Sequence, residues 1–253
     1  MLVPAAWAGS PMSGVPSSDT ELVAVLVAML TAGGGLAEVS EHCQRVVPDI
    51  DAVGLTVAIH PTAGSRLTVS THGWLAEPGE ALQFDLGEGP CIETHAEQRP
   101  VLAEDLEADG PAQHWPIFAG QAWEAGIRAV FTFPVLLHEQ VVAVLSLYRA
   151  TAGALSTTGE RMAAAYAAAA AVLLLHDAHT LIASDQDDEE EVALIPPPLA
   201  VISQAVGFLV SRLDLDTDQA LARLRAHAFV VQRPLAEVAD DLLQRRLPVE
   251  DLP

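Results

Sequence analysis

The chain has 253 residues, 51% of them hydrophobic, with a formal net charge of −22 and a mean hydropathy of +0.31. That composition suffices for a full-sized core plus a second small unit, and it excludes a largely disordered chain. The acidity excludes general attraction to nucleic acid or anionic lipid, and two cysteines, Cys43 and Cys91, exclude a disulfide scaffold or zinc finger and fit a reducing cytoplasm. Residues 1–18 read as a flexible Pro/Ser/Gly tail without the basic start of a secretion signal. From Asp19 a first helix is expected. The Gly33–Gly35 break separates it from a second, whose Leu36, Val39, Cys43, Val46 and Val47 share one face and make Cys43 a core thiol. The β-branched runs Gly54–His60 and Arg66–His72, joined by Pro61–Ser65, predict a hairpin, and a third strand is expected over Ala81–Leu86.

Gly89-Pro90-Cys91 opens a further helix. Cys91 and His95 stand four apart on it, but two ligands make a weak metal site, and a packed thiol is the better reading. Runs at Ala129–Leu136 and Gln140–Tyr148 flank His138-Glu139 as a second hairpin, giving an α+β fold, an antiparallel sheet with flanking helices. Thr157–Ala183 reads as one alanine-rich helix of roughly 40 Å, long enough to pack both on its own sheet and on a partner chain as a homodimer seam. Its apolar stretch Met162–Leu175 spans about 21 Å, short of a hydrocarbon core of about 30 Å, so no membrane span is expected. The acidic run Asp185–Glu191 and Pro196-Pro197-Pro198 predict a linker, either a solvated hinge or a cover for arginines downstream.

Three helices are expected between Leu199 and Leu247. The first carries a stripe of Ile202, Ala205, Val206, Leu209, Val210 and Leu213; Asp216 caps the second, with Ala220, Leu221, Leu224, Ala228 and Val231; Pro234 opens the third, with Leu235, Val238, Ala239, Leu242 and Leu243. Ala205 and Gly207 offer a side-chain-free approach for another helix. Asp214, Asp216 and Asp218 start like a calcium loop, but Gln219 replaces its glycine and Arg225 its closing carboxylate. No GK[ST] phosphate loop, GxSxG elbow or HExxH motif is present, so neither an enzyme, a cofactor nor a metal is indicated.

Gly89-Pro90-Cys91, Arg99-Pro100-Val101 with Asp105-Leu106, Trp115-Pro116, Ala125-Gly126-Ile127-Arg128 and Phe133-Pro134 resemble GAF sensor domains over 19–184. The resemblance implies a pocket between sheet and helices for an unknown small-molecule or redox signal, with Trp115, Phe118, Trp123, Phe131, Phe133 and Tyr148 as lining candidates. The Asn-Lys-Phe-Asp-Glu pentad of the cyclic-nucleotide subset has no counterpart, since the chain has neither lysine nor asparagine.

Gln204-Ala205-Val206-Gly207-Phe208-Leu209, Ala220 to Arg225 with Ala228, and Gln232-Arg233-Pro234-Leu235-Ala236-Glu237-Val238-Ala239 resemble the ANTAR family of RNA-binding antitermination modules. The resemblance implies a three-helix output unit over 199–253, joined by the linker 185–198, that grips paired RNA hairpins in a transcript leader as a dimer. Phosphate contacts would come from Arg212, Arg223, Arg225 and Arg233, with Ala205 and Gly207 on the close-approach face. Two departures stand out: this segment holds six arginines against eight acids, net −2, and Val206 replaces a usual lysine. A cytoplasmic regulator of transcription antitermination is therefore expected. The alternative is a module of the same fold that has lost RNA recognition and now dimerises or docks a protein.

Overall fold

The computed structural model describes residues 19–31, 34–58, 66–184 and 197–253. An antiparallel sheet organises the first unit: β1 (Ala52–Ala58), β2 (Arg66–His72), β3 (Val101–Ala103), β4 (Ala129–Leu137) and β5 (Gln140–Arg149), in the spatial order β2-β1-β5-β4-β3. Both expected strand pairs form. The second turns at His138 and Glu139, both at positive φ, as a two-residue hairpin requires; the Pro61–Ser65 turn lies outside the described residues.

Because successive side chains on a strand point to opposite faces, the sheet sorts its residues into two layers. Val53, Leu55, Phe131, Phe133, Leu145 and Leu147 pack against α1 (Asp19–Thr31), α2 (Val39–Val46) and α7 (Thr157–Ser184). On the reverse face Ala52, Val130 and Tyr148 meet α3 (Ala76–Leu86) and α6 (Pro116–Glu124), with α4 (Pro90–Glu97) and α5 (Asp109–His114) completing that layer. Burial of each full-sized apolar side chain here stabilises the fold by about 1.5–3 kcal/mol. The alanines of α7, among them Ala163, Ala167 and Ala170, are buried within this chain against the sheet and α1, and His42 Nδ1 lies 2.5 Å from the Tyr166 hydroxyl, tying α2 to α7. Val172 and Leu175 of α7, and Val23 and Val27 of α1, remain exposed. Cys43 is fully buried, as expected, whereas Val46 is exposed because α2 ends there and the chain leaves in extended conformation at Val47.

One expected element is of the wrong kind. Ala81–Leu86 is not a strand but the second half of α3, closed by Gly87 in the left-handed conformation (φ +65°). The face of α3 turned to the sheet is formed by Ala76, Gly79, Glu80 and Gln83, so the helical spacing is carried by small and polar residues that a hydrophobic pattern does not reveal.

The second unit comprises α8 (Pro197–Leu213), α9 (Thr217–Val231) and α10 (Leu235–Leu243). Prolines in the first turn of α8 remove no helical hydrogen bond, so the helix starts inside the expected linker; residues 185–196 lie outside the described residues. Asp216 caps α9, its Oδ1 accepting from the Gln219 amide at 2.7 Å while Gln219 Oε1 accepts from the Asp216 amide. The expected stripes form the core through Ile202, Ala205, Val206, Leu209, Ala220, Leu221, Leu224, Ala228, Leu235, Val238, Ala239 and Leu242, to which Leu252 adds. Val231 is an exception, exposed just before the left-handed Gln232 ends the helix.

Candidate functional site at the seam of the two units

The centre of the helix-covered face around α3 is polar. Thr56 donates to Glu80 Oε2 at 2.7 Å and Tyr148 to Glu80 Oε1 at 2.8 Å; Gln83 Nε2 donates to the Tyr148 hydroxyl at 2.9 Å, and the Cys91 amide to Gln83 Oε1 at 2.6 Å. The Thr56 and Thr68 hydroxyls, 2.9 Å apart, extend this chain to the edge strand. Glu80 reaches β1 because position 54 is glycine; any Cβ there would collide with its carboxylate. Burial pushes the Glu80 carboxyl above its ordinary value, against its hydrogen bonds from Thr56 and Tyr148 and the Arg66 charge.

Beside this network lies a cavity of about 460 Å³. Thr56, Arg66, Thr68 and Thr71 wall it from the sheet, Glu80 and Phe84 from α3, and Ile202, Pro234 and Ala236 from the helical unit. Arg66 is 94% buried, and its Nη2 has no hydrogen-bond partner among the described residues.

The units also meet through Arg225. Its Nε and Nη2 donate to the Phe84 carbonyl at 3.0 and 2.7 Å, and its guanidinium carbon lies 5.5 Å from the centre of the Phe84 ring. Gly87 leaves the necessary space, since a Cβ there would sit 2.8 Å from Arg225 Nη1. Burial, then the nearby Arg66 charge, lower the Arg225 pKa to about 10, so it stays charged at neutral pH, while Asp85 and Asp218 act in the opposite direction. Asp85, its carboxyl raised by burial, faces the Leu235 backbone at the start of α10.

The four arginines expected to contact phosphate occupy different situations. Arg225 is engaged by the first unit. Arg233 binds Glu237, and Asp241 at 2.6 Å; Asp241 also holds Arg246 at 2.6 Å. Arg212 is exposed and Arg223 half-buried, and neither makes an ion pair among the described residues. Ala205 is buried between helices, but Gly207, about 200° further round α8, faces open space, so the two do not share one approach face. Val206 is a core residue, which accounts for the missing charge there.

Nor do the six aromatic candidates share one pocket. Phe131 and Phe133 lie in the α1–α2–α7 layer, Trp115, Phe118 and Tyr148 in the opposite one, and Trp123 is half-buried beneath Arg128, whose guanidinium carbon is 3.6 Å from its ring centre. Of the six, none lines the seam cavity. Arg66, Glu80, Gln83 and Phe84, which do, escaped the sequence reading. Pro78 in a first turn, Gly87 as a stop and the lack of β-branched residues between Ala76 and Leu86 were the available signals for their helix. Cys91 is buried and its thiol pushed up to about 12, which disfavours a reactive thiolate, and no cluster of three or more metal-ligating side chains occurs among the described residues.

The structure thus docks a pocketed sheet-and-helix unit onto a small helical bundle. The chain belongs to the GAF domain family, whose model matches residues 35–176, and the ANTAR domain model matches residues 199–243. Among solved structures it is similar to the GAF domain of a phosphoenolpyruvate-protein phosphotransferase from Coxiella burnetii, at 15% identity over 65% of this chain and 99% of that one (TM-score 0.48). It is also similar to a type II free methionine-R-sulfoxide reductase from Thermoplasma acidophilum, at 16% identity over 61% of this chain and 96% of that one (TM-score 0.42). No curated protein matches it. Among the described residues no helix is long and apolar enough to cross a membrane.

Proposed function

We propose that this protein is a cytoplasmic regulator of transcription antitermination, in which a sensor unit (19–184) receives a small-molecule signal and, through a linker (185–198), governs an output unit (199–253) that binds paired RNA hairpins. The observation that carries this reading is the engagement of Arg225 by the Phe84 carbonyl: a cation of the RNA-binding family's module is held by the sensor. RNA binding then needs the output unit to leave α3, freeing Arg225 to join Arg212 and Arg223 at phosphates, while the exposed Arg233 pairs exchange carboxylate for phosphate. The protein works as a homodimer joined through the exposed valines and leucine of α1 and α7. The test is titration of the full chain against paired-hairpin RNA at low and high salt. Binding that weakens steeply with salt and is lost in Arg212→Glu/Arg223→Glu supports the proposal; absence of binding in every state of the sensor overturns it.

A second reading is that the output helices dock a protein and have lost RNA recognition. The saturation of Arg233 and Arg246 by Glu237, Asp240 and Asp241 favours it. Under that reading the double charge reversal leaves every RNA assay unchanged.

A further inference from the structure

We propose that the seam cavity binds a small organic molecule bearing a single carboxylate, held by Arg66, and that this ligand favours the docked arrangement of the two units. Arg66 lines the cavity, is 94% buried, and its side chain makes no hydrogen bond or ion pair among the described residues, which leaves a buried positive charge without an acceptor beside a space that a ligand can enter. Glu80 lines the same cavity and its oxygens accept from Thr56 and Tyr148, but it forms neither a hydrogen bond nor an ion pair with Arg66 among the described residues. The missing partner is therefore an anionic acceptor. Its charge is bounded by the other walls: Glu77, Glu80 and Asp85 line the same cavity, so a multiply charged phosphate would meet three carboxyl groups for one guanidinium. A monocarboxylate meets the fewest unfavourable contacts, its apolar body lying along Leu67, Ala81 and Phe84. A volume of about 460 Å³ suits a ligand of metabolite size.

Ile202, Pro234 and Ala236 close the cavity from the output unit, so a ligand touching them gains those contacts only while the units are docked. Linkage then makes the ligand oppose release of Arg225, and release oppose ligand binding. This second half rests on the RNA-binding reading, whereas occupancy of the cavity does not.

The experiment is isothermal titration of the full chain, without RNA, against butyrate and benzoate, with butyramide, benzamide and inorganic phosphate as comparisons. The expected result is saturable binding of a carboxylate, with its amide and phosphate at least about tenfold weaker, as loss of one charge-assisted hydrogen bond implies. Arg66→Met should abolish binding. Ala236→Glu, at a half-buried position of α10 outside the sensor's core, should weaken binding about tenfold or more by placing a like charge on the far wall. Equal binding of acid and amide, preference for phosphate, no binding of either carboxylate up to millimolar concentration, or Ala236→Glu without effect overturns the proposal. Carboxylate binding by a chain that never binds RNA overturns the antitermination reading alone; RNA binding without carboxylate binding overturns this inference alone.

Discussion

Replacing Phe84 with alanine separates docking from the RNA-contacting side chains. The substitution leaves the backbone carbonyl that Arg225 grasps but removes the ring 5.5 Å from its guanidinium and the apolar body packed on the helical bundle. At 5.5 Å the cation–π contact is worth about 0.5–1 kcal/mol, and truncating a half-buried phenylalanine costs about half of the 3–5 kcal/mol seen for a fully buried one, so docking should weaken by about 2–3.5 kcal/mol. While the docked form predominates, that loss converts directly into apparent RNA affinity, a gain of between about thirtyfold and three hundredfold. Titration with paired-hairpin RNA reads the affinity, and small-angle scattering reads the accompanying expansion. An expanded variant with unchanged affinity refutes the claim that docking restrains RNA binding, and an unexpanded one refutes the claim that Phe84 holds the units together.

Three further outcomes are expected. Burial holds the Glu80 carboxyl above the ordinary 4.5, so in the window between that value and its folded value the folded chain retains a proton that the unfolded chain releases. Its stability contribution is therefore present at the acid edge and declines as pH rises through the window; melting temperatures from that edge to neutrality should fall less steeply in Glu80→Gln, and identical slopes would contradict the assignment. Burial pushes the Cys43 thiol up and that of Cys91 to about 12, so Ellman's reagent should label neither cysteine until the chain is unfolded; prompt labelling of native protein would show one of them to be accessible. Val172→Asp/Leu175→Glu, on the exposed face of α7, should halve the mass seen by light scattering with little change in melting temperature, and an unaltered mass would place the dimer contact elsewhere.

Where burial follows hydrophobicity, the fold is legible from the residues. The stripes of α8, α9 and α10, the Asp216 cap, both hairpins and the long alanine helix follow from period, branching and capping chemistry alone. The site is another matter. Glu80 and Gln83 are inside only because Tyr148 and Thr56, 68 and 24 residues from Glu80, supply their hydrogen bonds, and no local pattern announces partners so distant. The same absence of an apolar stripe made Ala81–Leu86 look like a strand. The aromatic candidates failed for the opposite reason: their types suggested a pocket, but the alternation of β4 and β5 sends Phe131 and Phe133 to one side and Tyr148 to the other. The sequence offers Arg225 as a phosphate contact, and only the tertiary structure reveals its acceptor on α3.

That acceptor is a main-chain oxygen. Unlike Glu237 or Asp241, which a single base change can remove, the atom that Arg225 grasps persists whatever amino acid stands at position 84. Substitution at position 84 can trim the grip but cannot remove the acceptor, whereas a side chain at Gly87 or rotation of Arg225 itself would break the contact. On the sensor side, only movement of the α3 backbone can withdraw that oxygen, and α3 is also the helix that supplies Glu77, Glu80, Gln83 and Phe84 to the cavity wall.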